Sequence, residues 1–251
     1  MQIIKDIAYG ADPAQKLDLY LPCGKAFSVV LYFHGGGIEA GDKSGTEKFA
    51  SYLTDNGIAF VTANYRMYPA AHFPDFVVDA ASAAAWVKNN MAQYGDVRRL
   101  FITGSSAGAY LSMMLCFDTH YLKNAGIDPM EIGGYIFDAG QPTAHFNVLR
   151  ERGIDTRRVI VDETAPLYYV GTEPDYPPML FLSADQDMEN RHEQNQLMLS
   201  TLRHFRYDMT KITWKVLRGT HCHYVDDAGF DGISSYLRHL AAFVRQYERM
   251  E

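Results

Sequence analysis

Short apolar runs alternate along this chain with stretches of helical periodicity. Ile3 to Ala8 and Leu17-Asp-Leu-Tyr-Leu21 predict two short strands around a turn at Gly10-Ala-Asp-Pro13. In the second, Leu17, Leu19 and Leu21 alternate with Asp18 and Tyr20, as in a half-buried edge strand. Phe27 to Phe33 is almost continuously apolar, which suits a central strand covered on both faces. A helix follows over Lys43 to Asn56, ended near Gly57, then a buried strand at Ile58 to Asn64 and an alanine-rich helix from Asp75 to Met91. Arg99 to Thr103 reads as a strand and Ala107 to Cys116 as a helix. Strands are expected at Gly134 to Asp138, Pro178 to Ser183 and Ile212 to Leu217, and helices at Gln194 to Phe205 and Ser234 to Tyr247. This alternation predicts an α/β fold, with a mostly parallel central sheet flanked by helices on both faces. No repeat, low-complexity segment or linker breaks it. A single domain over residues 1–251 is expected, with a short, helical, cap-like insertion near residues 141–177.

Two turns in this pattern carry chemistry. Gly104-Ser105-Ser106-Ala107-Gly108 sits between a strand and a helix and fits the pattern of a serine held on a sharp elbow. Crowding gives the pattern its glycines: the neighbours two before and two after the serine lie against other backbone, where a Cβ has least room. Ser105 lies off the apex, which leaves Ser106 as the candidate nucleophile. The helix N-terminus beneath it aims the Ala107 N–H at a developing oxyanion. The second turn is His34-Gly35-Gly36-Gly37, directly after the Phe27 to Phe33 strand. Three consecutive glycines are entropically expensive. They suit either a flexible loop or a loop whose N–H groups, here those of Gly36 and Gly37, approach a substrate closely.

With these two motifs, and with Asn64-Tyr-Arg-Met-Tyr-Pro69 and Phe73-Pro74 between them, the chain resembles the α/β-hydrolases of the esterase/lipase group that includes the hormone-sensitive-lipase-like carboxylesterases. It departs from the larger members in having only about thirty residues before the glycine loop, so the resemblance implies a compact version without their N-terminal helical cap. In this fold the chain order is serine, acid, histidine. Asp185 and Asp187 both follow the Pro178 to Ser183 strand, and the family register favours Asp187. Asp185 is then an ordinary turn aspartate. His221 and His223 both follow the last strand. His221 better resembles the family's catalytic histidine, and His223 then serves as a loop residue.

Each residue type answers a chemical need. A serine hydroxyl is a weak nucleophile until an imidazole takes its proton. Histidine titrates near neutrality and returns that proton to the leaving group, and a carboxylate fixes its tautomer. The N–H groups of Gly36, Gly37 and Ala107 supply an oxyanion hole, each donor contributing about 3–4 kcal/mol. The resemblance implies a serine carboxylesterase acting on short acyl esters, with an arylformamidase-like amide hydrolase as the alternative. A noncatalytic small-ligand receptor on the same fold is the reading from another class, and such a protein is expected to lose part of the triad. No metal or cofactor is required. His221-x-His223, with Cys222 and Asp226 nearby, has ligand-like spacing but lacks a third ligand at a defined distance. Cys222 itself is expected to be a small buried residue.

The insertion between Gly140 and Pro177 is rich in aromatic residues, and Phe146, Tyr168, Tyr169 and Tyr176 are candidates for the substrate pocket. Its Arg150-Glu-Arg152 and Arg157-Arg158 runs read as a solvated face. A net charge of −7 argues against nucleic acid or an anionic membrane as the main partner. A small-molecule ester is the expected partner. There is no apolar run of about 18 or more residues, and Met1-Gln-Ile-Ile-Lys-Asp has no signal-peptide core. Three scattered cysteines suggest no disulfide framework. A cytoplasmic location is therefore expected.

Overall fold

The computed structural model describes residues 1–227 and 230–249. The chain enters through β1 (Gln2–Ala8), β2 (Lys16–Leu21) and β3 (Ala26–Phe33), then α1 (Glu47–Asp55), β4 (Ile58–Ala63) and α2 (Asp75–Asn90). The middle holds β5 (Asp96–Ser105), α3 (Ala107–Phe117), α4 (His120–Asn124), β6 (Ile132–Asp138) and α5 (Phe146–Glu151). It closes with β7 (Met179–Gln186), α6 (Arg191–His204), β8 (Ile212–Thr220), α7 (His223–Asp226) and α8 (Ser235–Tyr247).

The eight strands form one sheet in the order β1-β2-β4-β3-β5-β6-β7-β8. From β4 to β8 every pairing is parallel, and only β1 with β2 and β2 with β4 are antiparallel. Both faces are covered. Helices α2, α3, α4 and α6 bury their apolar residues on one side, and α1 and α8 on the other. Parallel strands so covered must be apolar on both faces, and β3, β4 and β6 are buried almost throughout.

Helix α3 is buried at every one of its 11 positions. A helix apolar on all sides belongs in the interior, and this one runs back from the end of β5, the strand between β3 and β6. The turn from β5 to α3 therefore stands between a central strand and a fully buried helix. No helix among the described residues is long and apolar enough to cross a membrane.

The structure differs from the sequence expectation in the place of β2 and in several element boundaries. Strand β2 lies between β1 and β4, not at an edge, and Asp18 and Tyr20 are as buried as the leucines. Lys43 compensates the Asp18 carboxylate at 2.7 Å and also reaches Asp6 at 2.9 Å. That use of Lys43 has a second effect. Its backbone N–H donates to Asn64 and its carbonyl accepts from Thr46 and Thr62, so α1 starts only at Glu47. Helix α6 starts three residues earlier than expected, at Arg191, and β8 runs on to Thr220.

Candidate active site

The β5–α3 turn is held by close backbone contact. A Cβ on Gly108 would meet the Phe33 carbonyl oxygen at 1.9 Å, and one on Gly104 would meet the Gly108 carbonyl carbon at 2.3 Å. No real side chain fits there, so both motif glycines are required by sterics. Between them Ser106 has φ 55° and ψ −111°, a sparsely populated conformation for a residue with a side chain. Its N–H donates to the Asp138 carbonyl at 2.8 Å, which ties the strained turn to the end of β6.

Three of the sequence candidates meet at this turn. The Ser106 Oγ and His221 Nε2 lie 2.8 Å apart, and His221 Nδ1 lies 2.5 Å from Asp187 Oδ1. The Asp187 side chain is 1% exposed, while that of His221 is 23% exposed, so the relay runs from a buried acid to a solvent-facing serine. Burial pushes the Asp187 carboxyl up, but His221 and the N–H groups of Met188 and Ala184 outweigh it. The net effect holds it below the usual carboxylate value. Asp185 and His223 are not part of this group. Asp185 accepts from the Gly219 N–H at 2.8 Å and so pins β8 to β7. His223 is exposed at the start of α7, its ring lying over Gly219.

The glycine loop faces the same cavity of about 480 Å³, lined by Gly35 to Gly37, Ser106, Phe146, Met188 and His221 among others. Gly36 has φ +107°, and a Cβ there would sit 2.0 Å from the Ala40 carbonyl oxygen. The loop is braced from both sides. Tyr65 donates to the His34 carbonyl at 2.9 Å and stacks on its ring, with centroids 4.5 Å apart. From the insertion, Asn147 Nδ2 donates to the Gly37 carbonyl at 2.7 Å. Ala107 opens α3, so its N–H has no acceptor within the helix. Gly36 and Gly37 line the cavity at Ser106, and Ala107 follows Ser106 at the head of α3.

The aromatic candidates divide. Phe146, the first residue of α5, lines the cavity. Tyr168 and Tyr169 do not: they stand on a short 3₁₀ turn over residues 166–169. Tyr168 faces solvent, and Tyr169 donates to the Glu163 carbonyl at 2.9 Å. Tyr176 is buried between Phe117 and Tyr207. Of the four candidates, Tyr169 and Tyr176 pack onto the body of the protein and only Phe146 lines the cavity at Ser106. Among the described residues no group of three or more His, Cys, Asp and Glu side chains could hold a metal ion. Cys222 is a free thiol in the left-handed region at φ 56°, and burial pushes its pKa up.

Sequence reasoning passed over Asp138. It ends β6 opposite Ser105, is fully buried, and accepts from the Tyr224 hydroxyl at 2.6 Å through Oδ1. Its Oδ2 has no hydrogen-bond partner among the described residues. Burial pushes its carboxyl up to about 6, against the influence of Ser105, Tyr224 and His221. A charged residue closing an apolar strand beside the nucleophile was the signal for it.

Comparison with known proteins agrees with the fold. The family model described as BD-FAE matches residues 17–128. The chain is 34% identical over 114 residues to a probable isoprenylcysteine alpha-carbonyl methylesterase of Oryza sativa subsp. japonica, a match covering 44% of this chain and 27% of that protein. It is 32% identical over 116 residues to the kynurenine formamidase of Danio rerio, covering 45% of this chain and 39% of that one. The chain thus spans well under half the length of these curated relatives. Esterase B from Lactobacillus rhamnosis superposes with a TM-score of 0.80 at 20% identity, over 99% of this chain and 86% of that one. Sheet order and the structural likeness show the α/β-hydrolase fold, and the chain is similar to esterases of that fold.

Proposed function

We propose that this chain hydrolyses small carboxylic esters through a Ser106-His221-Asp187 triad, as a single catalytic domain over residues 1–251 with the insertion near 141–177 forming one wall of its pocket. The observation that carries this reading is the hydrogen-bonded line from Ser106 Oγ through His221 to buried Asp187, at 2.8 and 2.5 Å. His221 Nε2 takes the proton of Ser106 as Oγ attacks the ester carbonyl. The carbonyl oxygen becomes an oxyanion facing the amides of Gly36, Gly37 and Ala107. His221 then protonates the departing alcohol, and the acyl group stays on Ser106. Water, deprotonated by the same imidazole, releases the acid and restores the hydroxyl. Asp187 holds the tautomer that leaves Nε2 free to accept.

The cavity supports a short acyl group. Phe49, Phe146, Met188 and Val225 are its main apolar walls, and Asp42, Ser44, Thr46 and Asp226 make much of the rest polar. A long chain finds little to bury against, and each unburied methylene forgoes about 0.8 kcal/mol. Esterase B, a structural neighbour, is known in complex with a tributyrin phosphonate. The formamidase among the relatives favours one second reading, hydrolysis of an N-formyl arylamine by the same residues. Assay of p-nitrophenyl acetate and of an N-formyl arylamine, with wild type and Ser106→Ala, decides between them. Ester turnover lost in the variant supports the proposal. Turnover retained in Ser106→Ala refutes the mechanism, and activity confined to the formamide selects the second reading.

A further inference from the structure

A second cavity, of about 510 Å³, adjoins the one at Ser106, and Phe146 and Met188 line both. Its chemistry is different. Arg191, Arg157 and Arg158 line it, and Glu189 is the one acid among its lining residues.

Arg191 is 4% exposed. Its guanidinium donates to the Ala139 carbonyl at 2.5 Å and to Gln141 Oε1 at 3.2 Å, both neutral acceptors. No carboxylate among the described residues lies within 4.0 Å of it. Buried charges ordinarily have a counter-ion, because desolvating an unpaired ion is expensive. The surroundings of Arg191 are built and buried. Gln141 also donates to the Ala144 carbonyl at 2.9 Å, Thr143 donates to Gln194 Oε1 at 3.0 Å, and Asn195 donates to the Gly140 carbonyl at 3.0 Å.

The insertion's arginines are sorted by their partners. Arg150 pairs with Glu39, Arg152 with Asp162 and Arg157 with Asp155. Arg158 has no carboxylate within 4.0 Å among the described residues and stands on the cavity wall. All four are exposed, as expected of a solvated face, and Arg158 differs only in lacking a carboxylate partner within 4.0 Å among the described residues.

We propose that this second cavity receives a carboxylate carried by the ester substrate, held between Arg158 and the buried guanidinium of Arg191. The inference rests on the esterase reading for its place in turnover. A planar carboxylate matches the guanidinium fork and meets a buried charge that no carboxylate among the described residues touches, Asp187 acting on it only from beyond ion-pair distance. Phe146 and Met188, shared by the two cavities, then set the distance between the reacting carbonyl and the charged end. The preferred substrate is a half-ester, or an ester of a hydroxy acid, and not a neutral lipid.

Two isosteric pairs test this. On the alcohol side, 4-acetoxybenzoate is compared with 4-acetoxybenzamide. On the acyl side, mono-4-nitrophenyl adipate is compared with its adipamate. At low salt the wild type should prefer the anion in one pair by about tenfold in kcat/KM. Arg158→Gln and added salt should each erase most of that preference. Calorimetric binding of 4-hydroxybenzoate and adipate, each against its amide, reads the cavity without any turnover. A chain that hydrolyses no ester yet binds one of these anions more tightly than its amide, and loses that in Arg158→Gln, keeps this inference and sinks the esterase reading. Anions bound and turned over no better than their amides by the wild type overturn the inference even if p-nitrophenyl acetate is hydrolysed. Arg191→Lys, checked for folding by its thermal melt, should weaken the preference as well, because an ammonium lacks the fork.

Discussion

Asp138 offers a quantitative handle on the centre of the molecule. Replacing it with asparagine keeps the shape and leaves an oxygen to accept from Tyr224, but removes a charge that burial opposes. In the folded protein its carboxyl is pushed up to about 6, against an ordinary value of 3.8. That gap corresponds to about 3 kcal/mol of linkage. The sign follows from the direction. A raised folded pKa means that the folded state holds the proton more tightly than the unfolded state does. The stabilisation is complete below the ordinary value, where both states are protonated. It is lost as pH rises through about 6, so at pH 8 the wild type carries the whole penalty of a buried carboxylate. Asp138→Asn should therefore be more stable than wild type at pH 8 by about 2–3 kcal/mol, and equal to it near pH 4. For a chain of this size that is a rise in Tm of about 4–12 °C at pH 8. Thermal and urea melts of both proteins from pH 4 to pH 8 measure the difference. A variant destabilised at pH 8 and indifferent at pH 4 refutes the reasoning, since the ionised carboxylate would then be an asset, held by Tyr224 or His221.

The remaining predictions concern the elbow and the triad. Ser106→Ala should lose ester hydrolysis by at least about a thousandfold, with an unchanged circular dichroism spectrum. Asp187→Asn should lower kcat by about 10⁴-fold through the wrong imidazole tautomer, while Asp185→Asn, which frees only the Gly219 N–H, should cost a few-fold at most. The Asp187 carboxyl lies below its ordinary value, so its contribution to stability is present above about pH 4 and vanishes as pH falls through the folded value. The stability difference between wild type and Asp187→Asn in urea melts should shrink accordingly. Gly108→Ala should yield little folded protein, because its Cβ has to displace the Phe33 carbonyl. Expression and melting temperature check that. Across p-nitrophenyl esters from acetate to decanoate, kcat/KM should fall beyond about hexanoate; a steady rise to decanoate would mean that a long chain does find apolar surface to bury against and would refute the short-acyl reading.

What the sequence made legible follows from how each feature is constrained. The central strands β3, β4 and β6 are short, apolar on both faces and flanked by turn residues, so composition alone exposes them. Both glycine motifs are legible for a steric reason, since a Cβ on Gly104 or Gly108 in the elbow, or on Gly36 in the loop, would run into backbone. The acid was harder. Asp185 and Asp187 lie two residues apart, and only the register of β7 against β8 separates them, with its shift between Ala184 and Gln186 that brings Asp185 to Gly219. The half-buried edge pattern of β2 misled because Asp18 keeps the alternation while Lys43, 25 positions away in sequence, neutralises it inside the protein.

The pocket was the least legible part, and the reason is geometric. Between β6 and β7 the chain runs through residues 139–178 with only α5 and a 3₁₀ turn for regular structure, so no periodicity says which side chains turn inward. Phe146 does, because it opens α5 at the point where Asn147 bonds the Gly37 carbonyl and draws the insertion over the glycine loop. Tyr168 and Tyr169 do not, because that later turn is fixed against α3, where Tyr110 reaches the Thr164 carbonyl at 2.7 Å. Aromatic density identifies a stretch that packs; it does not say against what. The same holds for charge. Arg150, Arg152, Arg157 and Arg158 are alike in sequence, yet three pair with carboxylates, and of the two that line the second cavity beside Arg191, Arg158 alone has no such partner among the described residues. In this fold the reaction is written into a few sterically forced positions, while the choice of substrate rests on where a weakly patterned loop comes to lie. Substitutions at Gly104, Ser106 or Gly108 should therefore abolish activity toward every ester alike, whereas Phe146→Ala and Arg158→Gln should reorder the preference among esters. A Phe146→Ala profile merely scaled down from wild type, with the order of substrates unchanged across acyl length and charge, would contradict that division.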